Sequence, residues 1–397
     1  MRRGAWHQCG DRSQKLVEEQ LQKKAGVGVI ISPRDLSRKN AIAYAERYRE
    51  LGAELLLDHQ YYVPDFTNER FESYPISRFR KGISSLNKIS DQDLTDFRNE
   101  LRVDHEELKA DAVIAPAVLY QAGRADIVQL NARLFAAAKR VAADLKLPVY
   151  ATVVLGRSVT ASDQTLQTML SQATALSCDG WYFGFEFEEE RLPSSRETVR
   201  RCCVAGLTLA CTGKPVLHAY AGPMGLLSFG FGATGVAVGH SQNLWKFTCD
   251  RWIASASQGG GGNAPARFFS SALWGTIIYP DETSQLPAAI RNQVLTPSPF
   301  SGPVISNLPW PRWESGKHLV YLLANELSIM AGEKNPRKNA QKAITVLNRA
   351  ITLHAAIQQN NVFLADNTNA YQANWKAAIE DLLRDNQGDF DFFDLMS

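Results

Sequence analysis

From residue 27 onward, short apolar runs alternate with longer stretches in which apolar residues recur every three or four positions. Residues 27–31, 54–57, 112–115, 149–155, 180–187, 216–220 and 235–238 are apolar runs of strand length. Between them, residues 37–51, 91–109, 127–145, 163–176 and 194–210 have the spacing of helices with one buried face. Gly52 stops the first of these helices. Ser90 predicts an N-cap for the second, and Ser194-Ser195-Arg196-Glu197 predicts a capping box for the last. Residues 223–229 predict a short helical piece, and residues 274–279 predict the eighth strand.

Strands that alternate with helices run parallel, because a parallel return needs a crossover. The strands are rich in Val, Ile and Ala, as expected when both faces are covered. The pattern therefore predicts an α/β fold, a (β/α)8 TIM-type barrel, over residues 25–285. Residues 1–24 read as a charged N-terminal helical extension. Residues 286–315, rich in Pro and Ser, read as a linker. Residues 316–397 read as a C-terminal helical domain ending in an acidic, aromatic tail, Asp389 to Asp394. A doubly wound dinucleotide fold is disfavoured, since Ser32-Pro33-Arg34-Asp35 after the first apolar run has no glycine fingerprint.

Composition narrows the partners. Lys plus Arg number 43 and Asp plus Glu 41, which leaves no whole-surface footprint for nucleic acid, although a local basic groove stays open. No apolar run is long enough to span a bilayer and no secretory h-region stands at the N-terminus, so a cytoplasmic protein without a membrane partner is expected. The six cysteines form no CxxC pair and read as reduced thiols.

In such a barrel the chemistry sits at the C-terminal ends of the strands. That rule selects Asp58, His59 and Gln60; Glu186 and Glu188; His218 and Tyr220; and His240 and Gln242. Three of the seven histidines fall on these ends. Alternate residues on a strand share a face. If Trp181, Phe183, Phe185 and Phe187 face the helices, then Gly184, Glu186 and Glu188 face the barrel interior. A buried glutamate with a raised pKa or a fixed partner suits acid/base work. Asp58 and Glu186 are the expected catalytic pair, and the other eight shape the pocket. Structural histidines and a solvated acidic turn at Glu188–Glu190 are the plain alternatives. Asp58, His59, His218 and His240 are the only candidates for gathering a metal at the mouth, and no zinc spacing is present, so no metal or cofactor is expected. Gly259–Gly262 lacks the ending of a phosphate loop and reads as a hinge.

Asp179-Gly180-Trp181-Tyr182-Phe183-Gly184-Phe185 resembles a strand of the tRNA-guanine transglycosylase superfamily whose backbone and glycines cradle the base. Lys214-Pro215-Val216-Leu217, Gly222-Pro223 and Gly232-Ala233-Thr234-Gly235-Val236 follow in that family's order, and Leu55-Leu56-Leu57-Asp58 resembles the strand bearing its acid/base aspartate. The resemblance implies a barrel acting on an N-glycosidic bond or a modified base of nucleic acid or nucleotide. The family's nucleophilic aspartate would fall near Ala237, and its zinc cysteines are absent. A non-catalytic barrel serving as a nucleic-acid-binding or scaffold subunit is the alternative. Asp179, Gly180, Trp181 and Glu186 also resemble a strand of endo-β-N-acetylglucosaminidases, which implies a glycoside hydrolase using Glu186. DNA or RNA would meet the aromatic, basic segment from Phe66 to Lys81 and the C-terminal helices, and a protein partner would meet the tail.

Overall fold

The computed structural model describes residues 1–80, 83, 90–187, 192–241, 244–249, 252, 265–306, 308–365 and 370–396. Eight parallel strands close into one barrel in chain order: β1 (Gly4–Gln8), β2 (Gly28–Ile31), β3 (Glu54–Leu57), β4 (Ala112–Ile114), β5 (Val149–Leu155), β6 (Gly180–Phe185), β7 (Val216–His218) and β8 (Gly235–Val238). The outer helices follow their strands as α1 (Gln14–Gln22), α2 (Arg38–Glu50), α3 (Asp91–Leu108), α4 (Ala125–Leu145), α5 (Asp163–Thr174), α6 (Arg196–Ala210), a single-turn α7 (Gly225–Ser228) and α8 (Arg312–Ala331). Ser90 caps α3 in a reciprocal box with Asp93, and Ser195 caps α6 by accepting from the Thr198 N–H. The α/β barrel with a C-terminal helical domain is thus the observed architecture. Among the described residues, no helix is long and apolar enough to cross a membrane.

The barrel begins and closes at other places than the sequence pattern predicts. Its first strand lies inside the polar N-terminal segment. Trp6 pairs with Gly28 on one side and Ala237 on the other, so β1 joins β8 and shuts the sheet. Residues 274–279 are not the eighth strand. They form β10 (Gly275–Tyr279), paired antiparallel with β9 (Ala266–Ser270) in a hairpin outside the barrel. This hairpin packs on α8, where His318 Nε2 lies 2.8 Å from the Phe269 carbonyl.

The C-terminal helices thicken the wall where α7 is reduced to one turn. α9 (Pro336–Gln359) approaches the segment after α7 closely; a Cβ on Gly230 would stand 3.1 Å from the Ala340 Cα. α10 (Ala370–Asp385) lies along α6, with the Asp381 carboxylate on the Arg196 guanidinium at 2.7 Å and the Trp375 indole N–H on the Pro193 carbonyl at 2.6 Å. The acidic tail is helical, α11 (Gln387–Met396), and docks on its own chain. Phe390 is buried, and Arg337 pairs with Asp394 at 2.8 Å. One apolar cluster runs from the outer faces of the barrel strands through α8, α9 and α10.

A second cluster fills the barrel interior with Trp6, Ile30, Leu56, Ile114, Tyr150, Val154, Tyr182, Leu217 and Ala237. Trp6 is fully buried there. Trp6→Ala is therefore expected to lower unfolding free energy by about 3–5 kcal/mol, measured by denaturant titration. A change within about 0.5 kcal/mol, normal for a surface extension, would show that β1 is not part of the barrel.

Candidate active site

The register decides which side chains share a level of the barrel. Gln8 pairs with Ile30, and Ile30 pairs with Leu56. Around such a barrel the register staggers by about 8 residues in all, or one residue per strand. That stagger brings Gln8, Asp58, Thr152 and Ala219 to one level, each on the inward face. The next level towards the mouth carries Ser32, Pro116, Gly184 and Gly239. These are small residues, and two have no side chain. The level beneath carries Ile30, Ile114, Tyr182 and Ala237, which closes the floor.

Asp58 sits on this floor, buried just past the end of β3. Tyr62 Oη donates to its Oδ2 at 2.6 Å and Tyr182 Oη to the same oxygen at 2.8 Å, while the Gln60 N–H donates to Oδ1 at 2.8 Å. Tyr220 Oη lies 2.7 Å from Tyr62 Oη and accepts from Gln60 Nε2 at 2.7 Å. Tyr62 has one proton and gives it to the ionised Asp58, so Tyr220 must donate to Tyr62. The chain of donors runs from Gln60 through Tyr220 and Tyr62 to the carboxylate. Burial pushes the Asp58 pKa above its ordinary 3.8; the bonds from Tyr62, the Gln60 N–H and Tyr182 pull it back without cancelling the rise.

Gln8 faces the same space and is buried. Among the described residues, neither its Oε1 nor its Nε2 has a hydrogen-bond partner. A buried amide left unpaired costs about 1–3 kcal/mol, and such groups mark sites where something else supplies the bonds.

The loop that carries Gln60 and Tyr62 is held by Arg80. Its guanidinium is buried, stacks 4.1 Å from the Phe71 ring centroid, and donates to the carbonyls of His59 at 2.9 Å, Gln60 at 3.0 Å and Val63 at 2.7 Å. Arg70 pairs with Asp11 at 2.9 Å and Arg78 with Glu100 at 3.1 Å. Arg80 in the aromatic, basic segment is thus a structural staple rather than a phosphate contact. Lys81 lies outside the described residues.

Glu186 faces inward, as the strand alternation predicts: Trp181, Phe183, Phe185 and Phe187 belong to the outer cluster and Tyr182 to the inner one. Its carboxylate stands nearer the mouth, accepting from the Arg157 N–H at 3.0 Å and the Cys249 N–H at 3.4 Å, with the Arg157 guanidinium at 3.8 Å. Among the described residues Glu186 and Asp58 share no hydrogen-bond partner; Gly184 lies between their levels. A Cβ on Gly184 would meet Val154 at 3.1 Å, so the position is tight towards the wall.

His59 and His218 do not join the site. One residue of parity turns each to the helix side of the wall. His59 Nε2 lies 3.3 Å from Asp104 Oδ2, beside the His105 ring. His218 Nδ1 meets Ser228 Oγ at 2.8 Å between Phe183 and Phe231, and burial pushes its pKa down to about 3. Asp58, His59 and His218 therefore cannot converge on one ion, and no group of three or more His, Cys, Asp or Glu among the described residues is placed to hold a metal. His240 lies past β8 at the rim of a separate cavity. Glu188, Gln242 and Gly259–Gly262 lie outside the described residues.

The mouth above Asp58 is covered by aromatic side chains. The Tyr62 ring is 5.0 Å from Phe247 and 5.9 Å from Trp252, with centroids edge to face. Phe66 is 5.3 Å from Trp252, and the Arg34 guanidinium lies 4.7 Å over the same indole.

The raised pKa of Asp58 makes a stability prediction. Between pH 3.8 and the raised folded pKa, Asp58 holds in the native state a proton that the unfolded chain has released. Stability is lost as pH rises from 3.8 to the folded pKa, by about 1.4 kcal/mol for each pH unit between the two values. Asp58→Asn removes that loss. Urea titrations at pH 3.5 and pH 8, which bracket the loss from its start near 3.8, should show the variant gaining on the native protein at the higher pH. Parallel pH profiles would rule out a raised Asp58.

No protein-family model and no curated protein matches this chain, so the functional reading rests on these residues.

Proposed function

We propose that this barrel is an acid/base enzyme acting on the N-glycosidic bond or the base of a nucleotide or nucleic acid. The observation that carries the reading is the pairing, at one level of the barrel, of a buried carboxyl with a raised pKa and a buried amide with no partner among the described residues. An amide presents one donor and one acceptor side by side. The complementary partner is a lactam or amidine edge, which nucleobases carry and sugars lack. The resemblance of residues 179–185 and of Leu55–Asp58 to transglycosylase strands points the same way.

In this reading Asp58 is the general acid. It passes its proton to a ring nitrogen of the base as the bond from C1′ to the base breaks, and water or an incoming base then adds at C1′. The Gln60–Tyr220–Tyr62 chain and Tyr182 stabilise the carboxylate left behind, which lowers the cost of proton transfer. Glu186, which accepts from two backbone N–H groups, lies near the mouth. There it favours the positive charge that develops on the sugar. Ala237 offers no nucleophile, so the sugar is released to a diffusing acceptor and not held on the enzyme.

The aromatic cover favours a second reading, a non-catalytic barrel that serves as a binding or scaffold subunit. Trp252, Phe247 and Tyr62 fill the space a substrate would cross. For the enzyme, Trp252 must swing out.

Release or exchange of base from guanosine nucleotides, DNA and tRNA, followed with radiolabelled base, separates the readings. The enzyme reading expects turnover that falls about 10²–10⁴-fold in Asp58→Asn and rises or persists in Trp252→Ala. No turnover on any of the three substrates, with base still retained by the native protein, would favour the scaffold.

A further inference from the structure

A cavity of about 480 Å³ opens beside the barrel mouth, where the loop after β1, the end of β8 and the start of α8 meet. Its volume lies in the range of small-molecule sites and exceeds what a bare inorganic ion needs. Three arginines line it: Arg12 from the loop after β1, Arg267 from β9 and Arg312 from the first turn of α8. His240 and Trp313 complete the wall. The carboxylates nearby are occupied. Asp11, which also lines the cavity, is held by Arg70 at 2.9 Å and lies 3.8 Å from the Arg12 guanidinium, and Glu314 is held by Lys317 at 2.8 Å. Arg312 makes no ion pair among the described residues.

The backbone adds to this charge. α8 is a 20-residue helix that begins after Pro311, so the N–H groups of its first turn have no carbonyl partner within the helix. They present partial positive charge at the cavity edge. His240 lines both this cavity and a narrow crevice on the helix side of β1 and β8, beside Leu16, Val17 and Val320.

We infer that this cavity binds the phosphate of a nucleotide-sized phosphate ester. Arginine is the side chain whose planar fork matches phosphate oxygens, and among the described lining residues three arginines outweigh the one carboxylate, Asp11. The position, between the ends of the last and first strands and the start of the eighth helix, is one where barrels commonly hold phosphate. The inference rests on the proposed function for the class of ligand, since a base held in the barrel mouth would leave its phosphate at the rim beside it. The binding itself is independent of Asp58.

Calorimetric titration of the full chain in low salt tests it, with guanosine 5′-monophosphate, guanosine and a 12-nucleotide single-stranded DNA as probes. The nucleotide should bind at least tenfold tighter than the nucleoside. Arg267→Glu and Arg312→Glu should each weaken the nucleotide about tenfold or more and leave guanosine unchanged, while Arg312→Lys, which keeps the charge but loses the fork, should weaken it less than Arg312→Glu does. DNA that binds tighter than the mononucleotide, with the same dependence on both arginines, identifies a strand as the source. DNA that binds no tighter identifies free nucleotide. Arg312 is exposed, so its variants fold; thermal melting checks this. Nucleotide and nucleoside affinities within twofold of each other, or charge-reversed variants that bind like the native protein, would overturn the inference. The readout is affinity, so failure of the Asp58 assignment, seen as unchanged turnover in Asp58→Asn, is recorded separately.

Discussion

The pairing of β1 with β8 is the contact on which the rest of this molecule depends. Five residues, Gly4–Gln8, complete a cylinder that would otherwise be an open sheet with two unpaired edges. Closure fixes the stagger, and the stagger fixes which side chains meet inside. Gln8 and Asp58 are 50 positions apart in sequence and share one level only because the barrel is shut. Without β1 the Asp58 carboxyl would lose a wall, and water would reach it and restore an ordinary pKa.

Burial and hydrogen bonding oppose each other at Asp58, and burial wins. A carboxyl in such a place holds its proton more readily than one in water, and its phenol cage makes the charged form tolerable once the proton leaves. Those are the two properties a general acid needs. The unpaired Gln8 amide adds the means to orient what receives the proton. The cage is itself supported at a distance by Arg80, which ties four loop carbonyls together, Phe66 included at 3.3 Å. A buried cation spent on backbone carbonyls stabilises a shape and leaves the carboxylate untouched.

Much of this was legible in the sequence, and the failures have physical causes. The parity of β6 follows from its four large apolar residues, so the inward face of Glu186 could be read directly. Asp58 stood out because it ends the apolar run 54–57, where a barrel of this kind carries its chemistry. The first strand was hidden because Ala5-Trp6-His7-Gln8 is short, follows two arginines and carries polar residues at two of its positions. Gln8 was lost with it. The run at 274–279 has strand chemistry, but nothing local tells a hairpin strand from a barrel strand; only the pairing partner does. His59 and His218 each follow an inward residue by one position, and a one-residue change of face separates a pocket ligand from a wall histidine. Tyr62 and Tyr182 carried no signal, because a phenol becomes part of a site only when a carboxylate from another strand meets it.

The central claim is that Asp58 is a buried acid inside a closed barrel. A carbon-13 NMR titration of aspartate-labelled protein, with the Asp58→Asn spectrum assigning the resonance, measures it directly. A midpoint clearly above 3.8 would bear the account out. A midpoint at or below that value would contradict it, since the carboxylate would then be held charged and could not serve as the acid.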